Sequence, residues 1–195
     1  ANGTSASMCK ITKRAFLGIK IAVPPLPEQR KIAEILSTWD RGIEQTQKLI
    51  DTKERLKKGL MQRLLTGELR FPEFRGMPWR TCRLGEVAEE CRERNADKLI
   101  DEDDLLAVTK AQGMVTMRDR VRGKSTERCK IVHPEWFAYN PMRLNIGSIA
   151  RWAGDHPILV SPDYVVFRCR KGQLLPDYLH HYRQSHRWQQ FVRAQ

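Results

Sequence analysis

No stretch of this chain approaches the roughly 20 consecutive apolar residues that a membrane-crossing helix requires. The first ten residues carry no apolar core of a secretory signal either. Cysteine is sparse and irregular. Cys9, Cys82, Cys91, Cys129 and Cys169 are odd in number, widely spaced and contain no Cys-x-x-Cys pair. That excludes the common zinc-site spacings and a disulfide scaffold, and reads as free thiols in a reducing cytoplasm. Catalytic signatures are missing as well. There is no GxxxxGK[ST] phosphate loop, no HExxH, and no nucleophile elbow to anchor a Ser-His-Asp triad. A DNA methyltransferase needs a glycine-rich cofactor loop and an Asn/Asp-Pro-Pro-aromatic motif. Asn140-Pro141-Met142-Arg143 shares only its first two residues with that motif. A metal-dependent nuclease would follow Pro162-Asp163 with an acidic-x-Lys partner, and none follows. His180, His181 and His186 read as polar positions on a helix, not as a ligand set. The expectation is a chain with no catalytic residues, no metal site and no cofactor of its own.

Charge is what the chain does have. Its 35 basic and 23 acidic residues give a net charge of +12 and a pI near 9.8, while 41% hydrophobic residues suffice for a core. A surface this basic suits a polyanion, nucleic acid above all. The charge is also segregated. Residues 84–104 hold nine acidic and three basic side chains, whereas residues 105–195 hold fifteen basic and six acidic. Such segregation predicts one face turned to phosphates and another turned away.

Along the chain, Ile19-Lys20-Ile21-Ala22-Val23 alternates as a strand or extended edge would. Pro24-Pro25-Leu26-Pro27 then forces an extended approach, with Pro27 suited to the first turn of a helix. From Glu28 to about Thr66 no proline intervenes. Apolar residues recur at Ile32, Leu36, Trp39, Ile43 and Ile50 in alternating steps of four and three, with Thr46 filling the beat. The phase then slips to Leu49, Leu56, Leu60 and Leu64, and Gly67 supplies a stop. A helix of that length is a rod of roughly 58 Å, too long to bury within so small a protein. The stripe Ile32, Leu36, Trp39, Ile43, Ile50, Leu56, Leu60 and Leu64 is therefore expected to be a seam for another long helix. Pro72, Gly76 and Pro78 punctuate a linker. Beyond it, Trp79–Arg83 reads as a strand and Leu84–Arg94 as a helix. Leu105–Thr109 and Tyr164–Arg168 read as strands, and one closing helix is expected from Pro176 through Tyr182 to Val192. The expected fold is mixed α/β (α+β) with a long helix. Its segments are 1–27, 28–67, 68–76 and 77–195.

These residues resemble a family. Pro24-Pro-Leu-Pro-Glu-Gln-Arg-Lys-Ile-Ala-Glu-Ile-Leu36, then Trp39-Asp40, then Leu60-Met-Gln-Arg-Leu-Leu-Thr-Gly67 are similar to the spacer helix of type I restriction-modification specificity subunits. Trp79, Leu84-Gly85-Glu86-Val87, Tyr139-Asn140-Pro141, Gly147-Ser148-Ile149 and Ser161-Pro162-Asp163-Tyr164 resemble the target recognition domains of that family. The resemblance implies a non-catalytic, cytoplasmic subunit that directs a complex to a bipartite site on double-stranded DNA. Segment 77–195 would be the recognition domain and 28–67 a coiled-coil-forming spacer helix. Implied partners are methyltransferase (modification) subunits, which would bind S-adenosylmethionine, and through them restriction subunits; a homodimer through the spacer helix is a further arrangement. Only one spacer helix and about one recognition domain are present, as in a half subunit, a fragment or a circular permutation. Residues 1–23 then either end a preceding domain or complete the 77–195 domain.

DNA contacts are expected from Lys110, Gln112, Arg118, Arg120, Arg122 and Lys124, which follow the first β run. Glutamine pairs bidentately with adenine and arginine with guanine, and lysines suit phosphates. Alternation would set the three arginines on one side of an extended segment. Arg143, Asn145 and Arg151, presented near an Asn-Pro turn, form a second group. The basic residues late in the rod (Lys53, Arg55, Lys57, Lys58, Arg63) read as a solvated face. The competing reading is a coiled-coil assembly protein or decoy that binds methyltransferase subunits without reading DNA. Both readings need the rod; only the first needs the basic face.

Overall fold

A computed structural model describes residues 11–110, 112–116 and 125–194. Two compact units divide the chain, Ala1–Leu56 and Lys57–Gln195.

In the first unit, α1 (Lys13–Leu17) starts at Thr12, whose Oγ1 accepts the Ala15 N–H at 3.2 Å. Residues 19–25 then run on without regular structure, so of the two forms expected at Ile19–Val23, strand or extended edge, no paired strand is formed. An alternating sequence becomes a strand only when a neighbour supplies N–H and C=O partners and covers one face. Ile19, Ile21 and Val23 are instead all exposed. The long helix α2 (Leu26–Thr66) begins two residues before Glu28. Pro27 sits in its first turn, where the missing N–H breaks no helical bond. The Pro25 carbonyl accepts from the Glu28 and Gln29 N–H groups at 2.9 and 3.0 Å, and the Gln29 side chain donates back to the Pro24 carbonyl at 2.7 Å. The apolar stripe stands open. Ile32, Leu36, Trp39, Ile43 and Ile50 range from 44% to 71% exposed, and Leu56 and Leu60 are exposed with them.

The second unit begins within the last turns of α2, where Leu64 is half-buried and Leu65 buried. Those two positions are already partly covered, unlike the stripe before them. Gly67 ends the helix in the left-handed region (φ 79°), and the Leu69 N–H reaches back to the Arg63 carbonyl at 3.0 Å. A Cβ at Gly67 would lie 3.3 Å from the Trp79 ring, which Arg70 covers with its guanidinium 5.0 Å from the centroid. Trp79–Arg83 joins no ladder, contrary to expectation.

The helix expected over Leu84–Arg94 is one turn only, α3 (Leu84–Val87), followed directly by β1 (Ala88–Cys91). The remaining strands are β2 (Leu106–Thr109), β3 (Gly113–Thr116), β4 (Lys130–Val132), β5 (Phe137–Tyr139), β6 (Ile149–Arg151), β7 (Ile158–Val160) and β8 (Val165–Cys169). They form a four-stranded antiparallel sheet, β1-β8-β5-β6, and two separate antiparallel pairs, β2-β3 and β4-β7. The period of two sorts the core. Ala138, Ala150 and Val166 turn one face of the four-stranded sheet toward Leu106, Val108, Val132, Ile158 and Val160. Phe137, Ile149 and Phe167 turn the other toward Leu179 and Trp188. Phe137 is fully buried, its ring stacked 5.1 Å from Phe167.

Those last partners come from two helices, where the sequence suggests one. α4 (Pro176–Tyr182) and α5 (His186–Arg193) are separated at residues 183–185. Ser185 caps α5 by accepting the Trp188 N–H at 3.3 Å, a local bond that competes with continuing the helix.

Candidate nucleic-acid interface

The turn between β2 and β3 is tied by Thr109, whose Oγ1 accepts the Gln112 N–H at 3.2 Å and donates to the Gly113 carbonyl at 3.1 Å. This presents Lys110 and Gln112 at its tip. A 3-10 helix, Pro141–Ile146, starts at Asn140, whose side chain accepts the Met142 N–H at 3.0 Å. It ends at Gly147 in the left-handed region (φ 95°). There a Cβ would press on the Lys110 side chain at 3.2 Å. The buried Ser148 hydroxyl then donates to the Val108 carbonyl at 2.9 Å. These contacts bind the 3-10 helix to the end of β2 and bring Asn145 and Lys110 to one place.

That place is a cavity of about 590 Å³, walled by the β2-β3 turn, the 3-10 helix, β6 and both C-terminal helices. Lys110, Gln112, Asn145 and Arg151 line it, together with His180, Arg183, Gln184, Trp188, Gln189 and Arg193; Trp152 completes an apolar side with Met114, Leu144 and Ile146. Four cations and no carboxylate stand among the lining residues.

Each expected contact residue has its own position. Lys110, Gln112 and Asn145 sit on the cavity wall. Arg151 does too, but its guanidinium is held by Glu135 and Asp177, each at 2.7 Å, with only 14% of the side chain exposed. Its charge is matched, so its part is to fasten β6 to the start of α4. Arg143 is exposed on the 3-10 helix outside the cavity. Arg118, Arg120, Arg122 and Lys124 lie outside the described residues. Sequence reasoning missed the contribution of α4 and α5. Its available signal was Ser185 as a helix start, which would have split the closing helix and exposed Arg183 at the break.

Electrostatics follow from the crowding of like charge. Burial, then repulsion from Arg183, Arg151, His181 and Lys57, push the His180 imidazole from 6.5 down to about 4. Burial also lowers Arg183, with Arg151 adding to it. The sign of the resulting pH dependence is fixed. The unfolded chain takes up the His180 proton near 6.5 and the folded chain only near 4. Stability contributed by this residue is therefore complete above 6.5 and is lost as pH falls toward 4. Replacing His180 with Gln should flatten the decline of urea midpoint across that window; an unaltered pH profile would place the imidazole elsewhere. Among the described residues, no group of three His, Cys, Asp or Glu is placed to hold a metal ion. Cys82, Cys91, Cys129 and Cys169 are free thiols, with burial pushing Cys169 up to about 11.

Comparison with known proteins finds similarity over part of the chain. Residues 2–54 match the family model described as the type I restriction modification DNA specificity domain. That segment of the chain is similar to the specificity subunits of type I restriction-modification systems. The type I restriction enzyme MjaVIII specificity subunit of Methanocaldococcus jannaschii is 33% identical over 91 residues, covering 47% of this chain and 20% of the relative. The putative type I restriction enzyme MjaX specificity subunit of the same organism is 36% identical over 86 residues, covering 44% and 19%. The chain thus matches about a fifth of the length of each. An HsdS subunit from Thermoanaerobacter tengcongensis is similar at a TM-score of 0.43 and 20% identity, covering 92% of this chain and 47% of that one.

Proposed function

We propose that this chain is a non-catalytic DNA-reading component of a type I restriction-modification complex, with residues 77–195 as recognition domain and α2 as the arm that docks a partner. The observation that carries the reading is the carboxylate-free cavity and its rim, where Lys110, Gln112 and Asn145 meet Arg183 and Arg193. Amides offer paired donors and acceptors to base edges, and the cations offer counter-charge to phosphates. A decoy or pure assembly protein has no use for such a surface. Double-stranded DNA is then the substrate. Methyltransferase subunits, carrying S-adenosylmethionine, are the partners for the open stripe of α2, and restriction subunits join through them. This role would place the chain on cytoplasmic DNA. No helix of the described residues is long and apolar enough to cross a membrane. Two such recognition domains, held apart by paired rods, would read an interrupted bipartite site.

The test is a mobility-shift titration with the cognate methyltransferase subunit present, repeated over a range of salt. Retention should weaken steeply with salt, because each neutralised phosphate releases a counterion. Changing Arg118, Arg120 and Arg122 to Ala should lower the slope by about one for each phosphate that is no longer neutralised. An unchanged slope would leave the phosphate contacts to the cavity rim and Arg143. Assembly with the methyltransferase but no retention of DNA under any salt would establish the decoy reading instead.

A further inference from the structure

The cations of the cavity are unequally compensated. Arg151 has two carboxylates. Arg183 has none among the described residues: Nη1 donates to the Ile149 carbonyl at 2.8 Å, Nη2 stands 3.4 Å from His180 Nδ1, and Nε is buried without a partner. A guanidinium withdrawn from water without a counter-charge is strongly unfavourable unless an anion completes it. Lys110 and Arg193 line the same cavity and likewise have no ion pair among the described residues. An inorganic anion alone would leave the rest of the wall unused. Trp152 and Trp188 contribute aromatic surface, and Gln112, Asn145, Gln184 and Gln189 contribute amides. Cation, aromatic surface and amide together are the chemistry of a nucleotide. The volume lies within the range of about 300–1,000 Å³ usual for small-molecule sites.

We propose that this cavity holds a single nucleotide unit, with Arg183, Lys110 and Arg193 receiving the phosphate, the ring of Trp152 or of Trp188 receiving the base, and the amides contacting its edge. The proposal rests on the DNA-recognition reading for its choice of nucleic-acid chemistry. The unit comes either from a free nucleoside monophosphate or from a residue unstacked out of bound DNA. One further feature fits the second source. The 3-10 helix at the rim leaves Met142 87% exposed and Ile146 57% exposed, apolar side chains of the kind that wedge between base steps.

The experiment uses the 195-residue chain and two arms. In the first, calorimetry measures the four deoxynucleoside 5′-monophosphates, the matching nucleosides and inorganic phosphate. At least one monophosphate should bind tenfold or more tightly than its nucleoside and than phosphate, if the free nucleotide is the source. In the second, run with the methyltransferase subunit, a single mismatch is stepped along a retained duplex. Extrusion is least costly at a mismatch, so one position should tighten binding roughly tenfold if the unit comes from DNA. Either gain should vanish in Arg183→Gln, which keeps an N–H donor for the Ile149 carbonyl, and shrink severalfold in Lys110→Ala, whose side chain can be shortened without unfolding the chain. A gain that persists in both variants overturns the proposal. So does inorganic phosphate binding as well as every nucleotide, which would leave an anion site only. No nucleotide binding and no mismatch gain, with intact duplex still retained, ends the nucleotide pocket but leaves DNA recognition standing. Loss of duplex retention as well would end both.

Discussion

The double variant Leu36→Asp, Ile43→Asp is expected to lose association through α2 entirely while the rest of the chain folds as before. Both side chains are more than half exposed, at 59% and 67%, and touch the solvent face of a helix whose own bonds they do not supply. Their removal therefore costs the isolated chain little. A seam is another matter. Burying a leucine or isoleucine contributes about 1.5–3 kcal/mol, and a carboxylate forced into an apolar seam adds a desolvation penalty of several kcal/mol. Binding weaker by more than about a hundredfold follows from the two sites together. Sedimentation velocity and capture by the methyltransferase subunit would measure it. The parallel change Leu65→Asp should instead unfold the end of α2, since Leu65 is buried. If the double variant sediments and binds like the parent, the stripe is not the docking seam.

Gly154→Ala should damage both stability and the cavity. Gly154 does not need a left-handed backbone; it needs the absence of a side chain. A Cβ there would sit far inside van der Waals contact with the Trp152 ring, 2.6 Å from Cε2 and closer still to Cζ2. That ring is no loose end. It packs on the Val108 and Ala150 core, and its Nε1–H donates to the His156 carbonyl at 2.7 Å. Relief requires moving the indole, breaking that hydrogen bond and opening the core, an overpacking cost of about 1–3 kcal/mol. The cavity wall moves with it, so nucleic-acid affinity should fall in the same variant. Chemical denaturation followed by tryptophan emission reads the first effect, and the mobility shift reads the second. A variant with parental midpoint and emission would mean that Trp152 does not occupy this position.

Both expectations bear on how far the residues speak for themselves. The long helix was legible because its signals are local. Pro24 to Pro27 set its start, Gly67 set its stop, and the apolar spacing between them marks its length. Leu106–Thr109 and Val165–Cys169 were legible for the same reason, as short β-branched runs. Ala88-Glu89-Glu90-Cys91 was not, because its composition favours helix. It becomes a strand only by pairing with residues 166–169, where Arg168 also meets Glu89. Ile19–Val23 shows the converse. Its alternation promised a ladder that no neighbour completes among the described residues.

Contiguous residues are enough to specify the class of fold, the rod and the family resemblance. The composition of the cavity belongs to the tertiary structure. Its walls come from Lys110, from residues 112–114, and from residues within 144–153 and 180–193, which no periodicity connects. They meet because Ser148 bonds β6 to β2, and because Phe137, Ile149 and Phe167 draw α4 and α5 onto the sheet. The same packing separated two arginines that look alike in the sequence. Arg151 fell between two carboxylates and became a fastening, while Arg183 was half-buried with none among the described residues. Charge reads directly from residue type, but its compensation depends on which groups folding places within a few ångströms.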